Sequence, residues 1–192
     1  RAHADELEED AGDLIWSLIG QIGHLILERA SVPGEELVER RFTARVCGKT
    51  IGGQVDLWNR GTLTLLDYKF TSIWSATHGV KPEWEQQMNI NAFLCAENDL
   101  TVTKAQIVCI FRDWSIGEAR RSQGYPQQQV RVLDVPLWPA DHQLAYIADR
   151  VQKQLNASQT LPECNPLERW ARPEKWAVMA PGRKRAVVLC DT

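Results

Sequence analysis

Apolar residues recur at intervals of three and four near the start of the chain. Leu7, Ala11, Leu14, Ile15, Leu18, Ile22, Leu25 and Ile26 mark one side of a helix predicted over residues 4–30. Gly20 and Gly23 are points where that helix can bend or split, and Ser31-Val32-Pro33-Gly34 ends it. The period then shortens to two. Residues 36–46 read as a strand and Gly48 starts a turn. Residues 51–58 and 63–70 read as two strands around Asn59-Arg60-Gly61-Thr62, a hairpin signal. A loop follows to about residue 82, where Pro82 suits the first turn of a helix running to about Glu97. Residues 101–111 are a buried strand, 112–128 are polar and mixed, and 130–135 are a short strand. Residues 139–156 form a second amphipathic helix with Leu144, Ile147, Val151 and Leu155 on one face. Trp176–Met179 and Ala186–Leu189, around Pro181-Gly182, read as a late hairpin. The order α-β-β-β-α-β followed by additions predicts an α/β fold, a mixed central sheet flanked by helices.

Composition narrows the class without choosing a function. The length, 192 residues, suggests one domain spanning 1–192, with a core at about 20–111 and C-terminal additions over 112–192. No apolar run approaches the roughly 20 residues of a bilayer span, so no membrane partner is expected. Cys47, Cys95, Cys109, Cys164 and Cys190 are odd in number and contain no CxxC pair, which fits a reducing cytoplasm better than a disulfide framework. Cys95 and Cys109 read as small apolar core residues. The net charge of −3 is unevenly spread: residues 1–40 carry ten acids and three bases (−7), and 41–192 carry fifteen acids and nineteen bases (+4). An acidic first helix turned away from a nucleic acid is compatible with a basic surface elsewhere, but charge alone does not demand one.

The chemically informative stretch is Ile51-Gly-Gly-Gln-Val-Asp-Leu-Trp-Asn-Arg-Gly-Thr-Leu-Thr-Leu-Leu-Asp-Tyr-Lys-Phe70. Two carboxylates and a lysine interrupt strands that are otherwise apolar. Asp67 and Lys69 alternate and so share a face. A hairpin centred on Arg60–Gly61 pairs Asp56 with Leu65 and Asp67 with Gln54, making Asp56 and Asp67 diagonal neighbours about 7–8 Å apart. Clustered carboxylates repel, and a hard divalent cation such as Mg²⁺ or Mn²⁺ keeps them ionised. Such an ion acidifies a bound water and neutralises charge on a phosphate, while a lysine orients that water or stabilises the phosphate. Asp67-x-Lys69 taken alone equally fits an exposed ion pair.

Four pieces of the chain occur in a family order: Gly20-Gln-Ile-Gly-His-Leu-Ile-Leu-Glu28, Gly53-Gln-Val-Asp56, Leu66-Asp-Tyr-Lys69 and Gln87-Met-Asn-Ile-Asn-Ala-Phe93. Together they resemble the PD-(D/E)XK nuclease superfamily, in its RecB-like and phage-exonuclease branch, over residues of about 20–111. The resemblance implies a restriction-endonuclease-like core and a Mg²⁺- or Mn²⁺-dependent deoxyribonuclease. It implies an exonuclease of phage or cellular DNA recombination and repair, with a catalytically silent nucleic-acid-binding module as the alternative. It makes Asp56, Asp67, Lys69 and Gln87 the catalytic set, and His24, Asp56, Asp67 and the Tyr68 carbonyl the metal ligands. Glu28, four residues after His24 on the same helix face, is the reserve ligand. Without the hairpin, His24 reads as a satisfied histidine at a helix–sheet interface. Asn91 stands where the family's Q-x-x-x-Y element has tyrosine, and Gln86 and Gln87 also fit a plain helix surface. The Fe–S cluster of one branch is not expected, because the tail offers only Cys164 and Cys190.

DNA, single- or double-stranded, is the expected partner. Trp16, Trp58, Trp84 and Trp138 read as packing. Trp74 and Trp114 fall in loops beside the site, where stacking on bases competes with packing as an explanation. Lys81, Arg112, Arg120, Arg121, Arg183, Lys184 and Arg185 are candidate phosphate contacts, or a solvated face. No Walker motif is present, so ATP-driven strand separation falls to a separate helicase or recombination protein. The sequence gives no oligomeric state.

Overall fold

The computed structural model describes residues 11–77 and 79–157, then 161, 163–166, 168–169, 171, 175–178, 180–182 and 188–191. The elements in order are α1 (Ala11–Arg29), β1 (Glu36–Val46), β2 (Lys49–Asn59), β3 (Thr64–Thr71), α2 (Ile73–Thr77) and α3 (Pro82–Ala96). They continue with β4 (Lys104–Phe111), α4 (Ile116–Arg121), β5 (Val130–Val135), α5 (Ala140–Asn156), β6 (Lys175–Val178) and β7 (Val188–Asp191). The chain groups into two compact units, residues 1–151 and 152–192. Within the second, β6 and β7 form an antiparallel pair with Trp176 opposite Cys190. The late hairpin therefore has strands where the sequence predicts them, to within two residues. No helix among the described residues is long and apolar enough to cross a membrane.

The fold of the first unit is α/β. Its five strands form one mixed sheet in the order β1-β2-β3-β4-β5. Only β3 and β4 run parallel, because α3 carries the chain across the sheet between them. The β1–β2 hairpin closes through Cys47 and Gly48, whose φ angles of 49° and 72° make the two-residue turn whose twist suits paired strands. That turn sets Val46 opposite Lys49 and fixes every pair behind it.

The β2–β3 hairpin differs from the sequence expectation. Leu57 pairs with Leu66, Trp58 with Leu65 and Asn59 with Thr64, two residues away from the register predicted above. The turn is centred on Gly61–Thr62 because the Asn59 side chain accepts hydrogen bonds from the Thr62 N–H (2.9 Å) and hydroxyl (3.0 Å). Leu63 leaves the turn at a positive φ of 51°. Pairing stops at Leu57–Leu66, whereas β3 stays paired with β4 along its whole length. The two strands of the hairpin therefore part just where Asp56 and Asp67 stand.

Buried side chains of β4 (Ala105, Ile107, Cys109, Phe111) meet Met88 and Leu94 of α3, Leu65 of β3 and Val55 of β2 in a common core. Cys95 and Cys109 are buried in it as expected, and Trp58 and Trp84 pack there. Trp138 is half-buried and stacks on His142, while the side chain of Trp16 lies outside the described residues. The helices flank both faces of the sheet. Gly23 of α1 lies against the ring of Phe70, whereas Gln87 of α3 bonds Lys69. Adjacent strand residues point to opposite faces, so α1 and α3 cover opposite sides.

One helix is turned the other way from its sequence pattern. α1 runs unbroken through Gly20 and Gly23, and its sheet side is the one carrying Gly23, His24 and Leu27. Leu14, Ile15, Leu18, Ile22, Leu25 and Ile26, the stripe that normally faces a core, are each 44–60% exposed. The glycine explains part of the inversion, because a Cβ at Gly23 would sit 2.0 Å from Phe70 Cζ. Close approach to β3 requires the bare side of the helix.

Candidate active site

The fork between β2 and β3 holds the polar groups. Asp56 Oδ2 accepts a hydrogen bond from the backbone N–H of Tyr68 at 2.8 Å, standing in for the missing ladder partner. On the other side of β2, the β1 ladder also skips one step. Val38 faces Leu57 and Arg40 faces Val55, but Glu39 and Asp56 between them are unpaired. Glu39 adopts φ +48°, an unusual conformation for a non-glycine residue and one that often marks functional sites. Two acids thus leave regular pairing at the same rung, and α1 adds a third group. His24 Nδ1 lies 3.0 Å from Glu39 Oε1 and 3.6 Å from Asp56 Oδ2. Gln54 Nε2 donates to Glu39 Oε2 and holds the glutamate from behind.

A second cluster adjoins the first. Lys69 Nζ is 2.8 Å from Asp67 Oδ2 and donates to Gln87 Oε1 at 3.0 Å. Gln87 Nε2 donates to Asp67 Oδ1 at 2.8 Å, so the amide closes a triangle with the acid and the ammonium. The Asp67 side chain is only 3% exposed. Its Oδ2 accepts no hydrogen bond of acceptable direction and meets only the lysine charge.

Burial dominates the electrostatics of both acids. Desolvation raises Asp56 from 3.8 to about 6, helped by the charge of Asp67 and, less, of Glu39, and opposed by the Tyr68 N–H and His24. Desolvation also raises Asp67, against which the neighbouring Lys69 ammonium acts most strongly. Three carboxylates and a single lysine leave the fork short of positive charge.

His24, Glu39 and Asp56 form a group able to hold a metal ion. One donor atom from each lies within 4.8 Å of the others. Ligand atoms on an octahedral ion at about 2.1 Å stand roughly 3–4 Å apart, so little movement is needed. A cleft of about 590 Å³ opens onto the group, lined also by Ser17, Gln21, Glu28 and Gln54.

The sequence-derived residues separate accordingly. His24 and Asp56 converge, Asp67 joins Lys69 and Gln87, and Glu28 lines the cleft beside His24. Tyr68 contributes its N–H to Asp56. Glu39 escapes the sequence reading, although the Cys47-Gly48 turn carries the signal: counting back from Val46–Lys49 sets Glu39 opposite Asp56. Asn91, at the position of the resemblance's tyrosine, is buried and donates to the backbone carbonyl of Gln54 at 3.4 Å.

Two solved structures are similar in part. The crystal structure of SSO0001 aligns with a TM-score of 0.49 and 20% identity, over 77% of this chain and 63% of that one. A "Putative exonuclease" from Eubacterium rectale aligns with a TM-score of 0.47 and 12% identity, over 85% of this chain and 61% of that one. This chain therefore spans less than two thirds of either protein's length. Both likenesses are distant and transfer no activity. No family model and no curated protein matches the sequence.

The expected DNA-contacting residues are dispersed. Trp74 on α2 is 72% exposed, and Asp113 fastens the start of that helix by accepting the Ile73 N–H. Arg112 is exposed at the end of β4, its N–H bonded to the Thr71 carbonyl. Lys81 precedes α3 with its ammonium 4.9 Å from the centre of the Trp84 ring. Arg120 is exposed on α4, and Arg121 beside it pairs with Glu118 at 3.0 Å. Trp114 is half-buried and donates to the Pro126 carbonyl, which favours packing. Arg183, Lys184 and Arg185 lie outside the described residues.

The contact between Gly23 and Phe70 gives a direct test of how α1 places His24. Gly23→Ala forces the Phe70 ring aside or lifts the helix, at an expected cost of about 1–3 kcal/mol. Divalent-ion affinity should fall with it, and adding Phe70→Leu should restore both. Thermal melts with and without Mn²⁺ report the two effects. An alanine variant with unchanged melting and unchanged ion affinity would show that this contact does not position His24.

Proposed function

We propose that this chain is a metal-dependent nuclease acting on DNA, with an exonuclease of recombination or repair as its preferred form. The observation that carries the reading is the adjacency of two groups in one fork: His24, Glu39 and Asp56 as ion ligands, and Asp67, Lys69 and Gln87 beside them. A bound Mg²⁺ or Mn²⁺ would supply Lewis acidity and a more acidic water. The chain's own groups do the rest. Lys69 presents a positive charge to a phosphate oxygen as negative charge builds there. Asp67 and Gln87 hold the Lys69 ammonium from two sides and limit its rotamers. Asp56 and Glu39, once ionised, repel a phosphate unless a cation lies between them, so the substrate and the ion enter as partners. Trp74 and Arg112 at the ends of β3 and β4 are the first candidates for holding the strand.

The decisive assay incubates labelled single- and double-stranded DNA with the protein in Mg²⁺, Mn²⁺ or EDTA. Cleavage in either metal and none in EDTA supports the reading. Cleavage that survives EDTA, or tight DNA binding without cleavage in any metal, overturns it, the latter in favour of a silent binding module. Product sizes from the same gels separate exonuclease from endonuclease action.

The donor set also predicts a preference. One imidazole and two carboxylates suit Mn²⁺ better than Mg²⁺, which favours oxygen alone and keeps its water. Titration calorimetry should show Mn²⁺ binding at least about tenfold more tightly than Mg²⁺. Replacing His24 with alanine should reduce that gap. Equal affinities in the unmodified chain would remove His24 from the ligand set.

A further inference from the structure

Apart from Leu25, which also lines the cleft beside His24, the outward stripe of α1 belongs to no site described above. It runs the length of the helix with the spacing Ile15, Leu18, Ile22, Leu25, a three-four-three seam widened by Ile19 and Ile26, all 40–60% exposed. Half-exposed aliphatic side chains over about three turns present on the order of 500–600 Å² of apolar surface, which doubled across a two-fold contact clears the roughly 1,000 Å² expected of a biological interface. A patch of that size is at the upper end of what a monomer exposes, and patches of that size are often functional.

The chemistry around the stripe selects the occupant. The residues before α1 include Asp5, Glu6, Glu8, Glu9 and Asp10, and its last turn carries Arg29. Acidic flanks disfavour both a phosphate backbone and an anionic lipid surface, each of which calls for Lys or Arg beside the apolar face. A second α1 laid antiparallel meets the opposite requirement. It needs no basic flank, opposes the helix dipoles and buries the two seams together. We propose that α1 is a self-association face: Leu18 and Ile22 of two copies of this chain meet across a two-fold axis, with the helices antiparallel. The sheet side of each α1, with His24, stays on its own subunit. The pairing does not depend on the nuclease reading.

Light scattering after gel filtration tests it. The chain should elute at about 44 kDa, twice its 21.8 kDa. Leu18→Glu with Ile22→Glu should give the single-chain mass with an unchanged far-UV circular dichroism spectrum. A single-chain mass for the unmodified protein at micromolar concentration overturns the proposal, as does a dimer that survives the double substitution. Should the double variant aggregate, cross-linking decides. With Cys47 and Cys164 changed to serine, Ile22→Cys should form an oxidant-induced dimer and Gln21→Cys, on the flank of the seam, should form much less. Equal cross-linking of the two, or none, overturns the pairing.

Discussion

Lys69→Met is expected to lower DNA cleavage by about 10²–10³-fold while leaving DNA affinity within a few-fold. A preorganised cation at a phosphate contributes to the transition state by roughly that factor and far less to ground-state binding. The substitution keeps an unbranched side chain of nearly the same length and removes the ammonium with its charge and its hydrogen bond to Gln87. Its second effect is on Asp67. Lys69 is the strongest influence holding that carboxyl down against burial, so the methionine variant pushes Asp67 higher still. Gln87 loses one of its two partners at the same time. Lys69→Arg separates charge from position. Arginine retains the charge but presents a planar fork in place of the compact ammonium that Asp67 and Gln87 hold. Partial recovery in the arginine variant would assign the effect to charge, and none would assign it to placement. Single-turnover cleavage alongside binding in Ca²⁺ measures both. A methionine variant that keeps a tenth or more of the activity would take Lys69 out of the reaction.

The sequence pattern reveals element types well because they rest on local periodicity. The alternation on β4 and the Pro82 start of α3 are written in neighbouring residues. What escapes depends on residues far apart. The Asn59 side chain moves the turn by one residue, and that single step shifts the hairpin register by two. Asp56 and Asp67 still share the fork, but through an interrupted ladder rather than as diagonal neighbours on a regular one. Glu39 lies seventeen positions before Asp56 and enters the site only when the Cys47-Gly48 turn is followed back along two strands to their unpaired rung. Its positive φ has no sequence signature. Gln87 is the opposite case. The motif resemblance implies a place for it beside Lys69, and its amide bonds both Lys69 and Asp67 despite the departure at Asn91. The stripe of α1 is legible as a pattern, yet its direction is decided by Gly23 against Phe70, a contact between residues 47 positions apart.

The same crowding of acids makes the site a liability when no ion is bound, and Asp56→Asn should expose it. Asp56 has a folded-state pKa of about 6 against 3.8 unfolded. Below pH 4 the group is protonated in both states and costs nothing. Between about 4 and 6 the unfolded chain releases the proton while the folded chain retains it, so stability falls as pH rises through this window. Above it the folded state carries the full cost of an ionised, half-desolvated carboxylate, on the order of 2–3 kcal/mol. Asparagine removes that cost, and its carbonyl oxygen still accepts the Tyr68 N–H. In EDTA at pH 7.5 the variant should therefore melt several degrees above the unmodified chain, and at pH 4 the two should coincide. Saturating Mn²⁺ should reverse the order. An ion at about a hundred times its dissociation constant stabilises the unmodified chain by ~2.7 kcal/mol, and a site lacking the Asp56 charge gains much less. Activity should disappear in the variant although its metal-free stability rises, the trade expected where binding rather than folding keeps a residue in place. An asparagine variant less stable than the unmodified chain in EDTA at pH 7.5 would mean that Asp56 is not held at the fork against its own repulsion, and the case for an ion there would go with it.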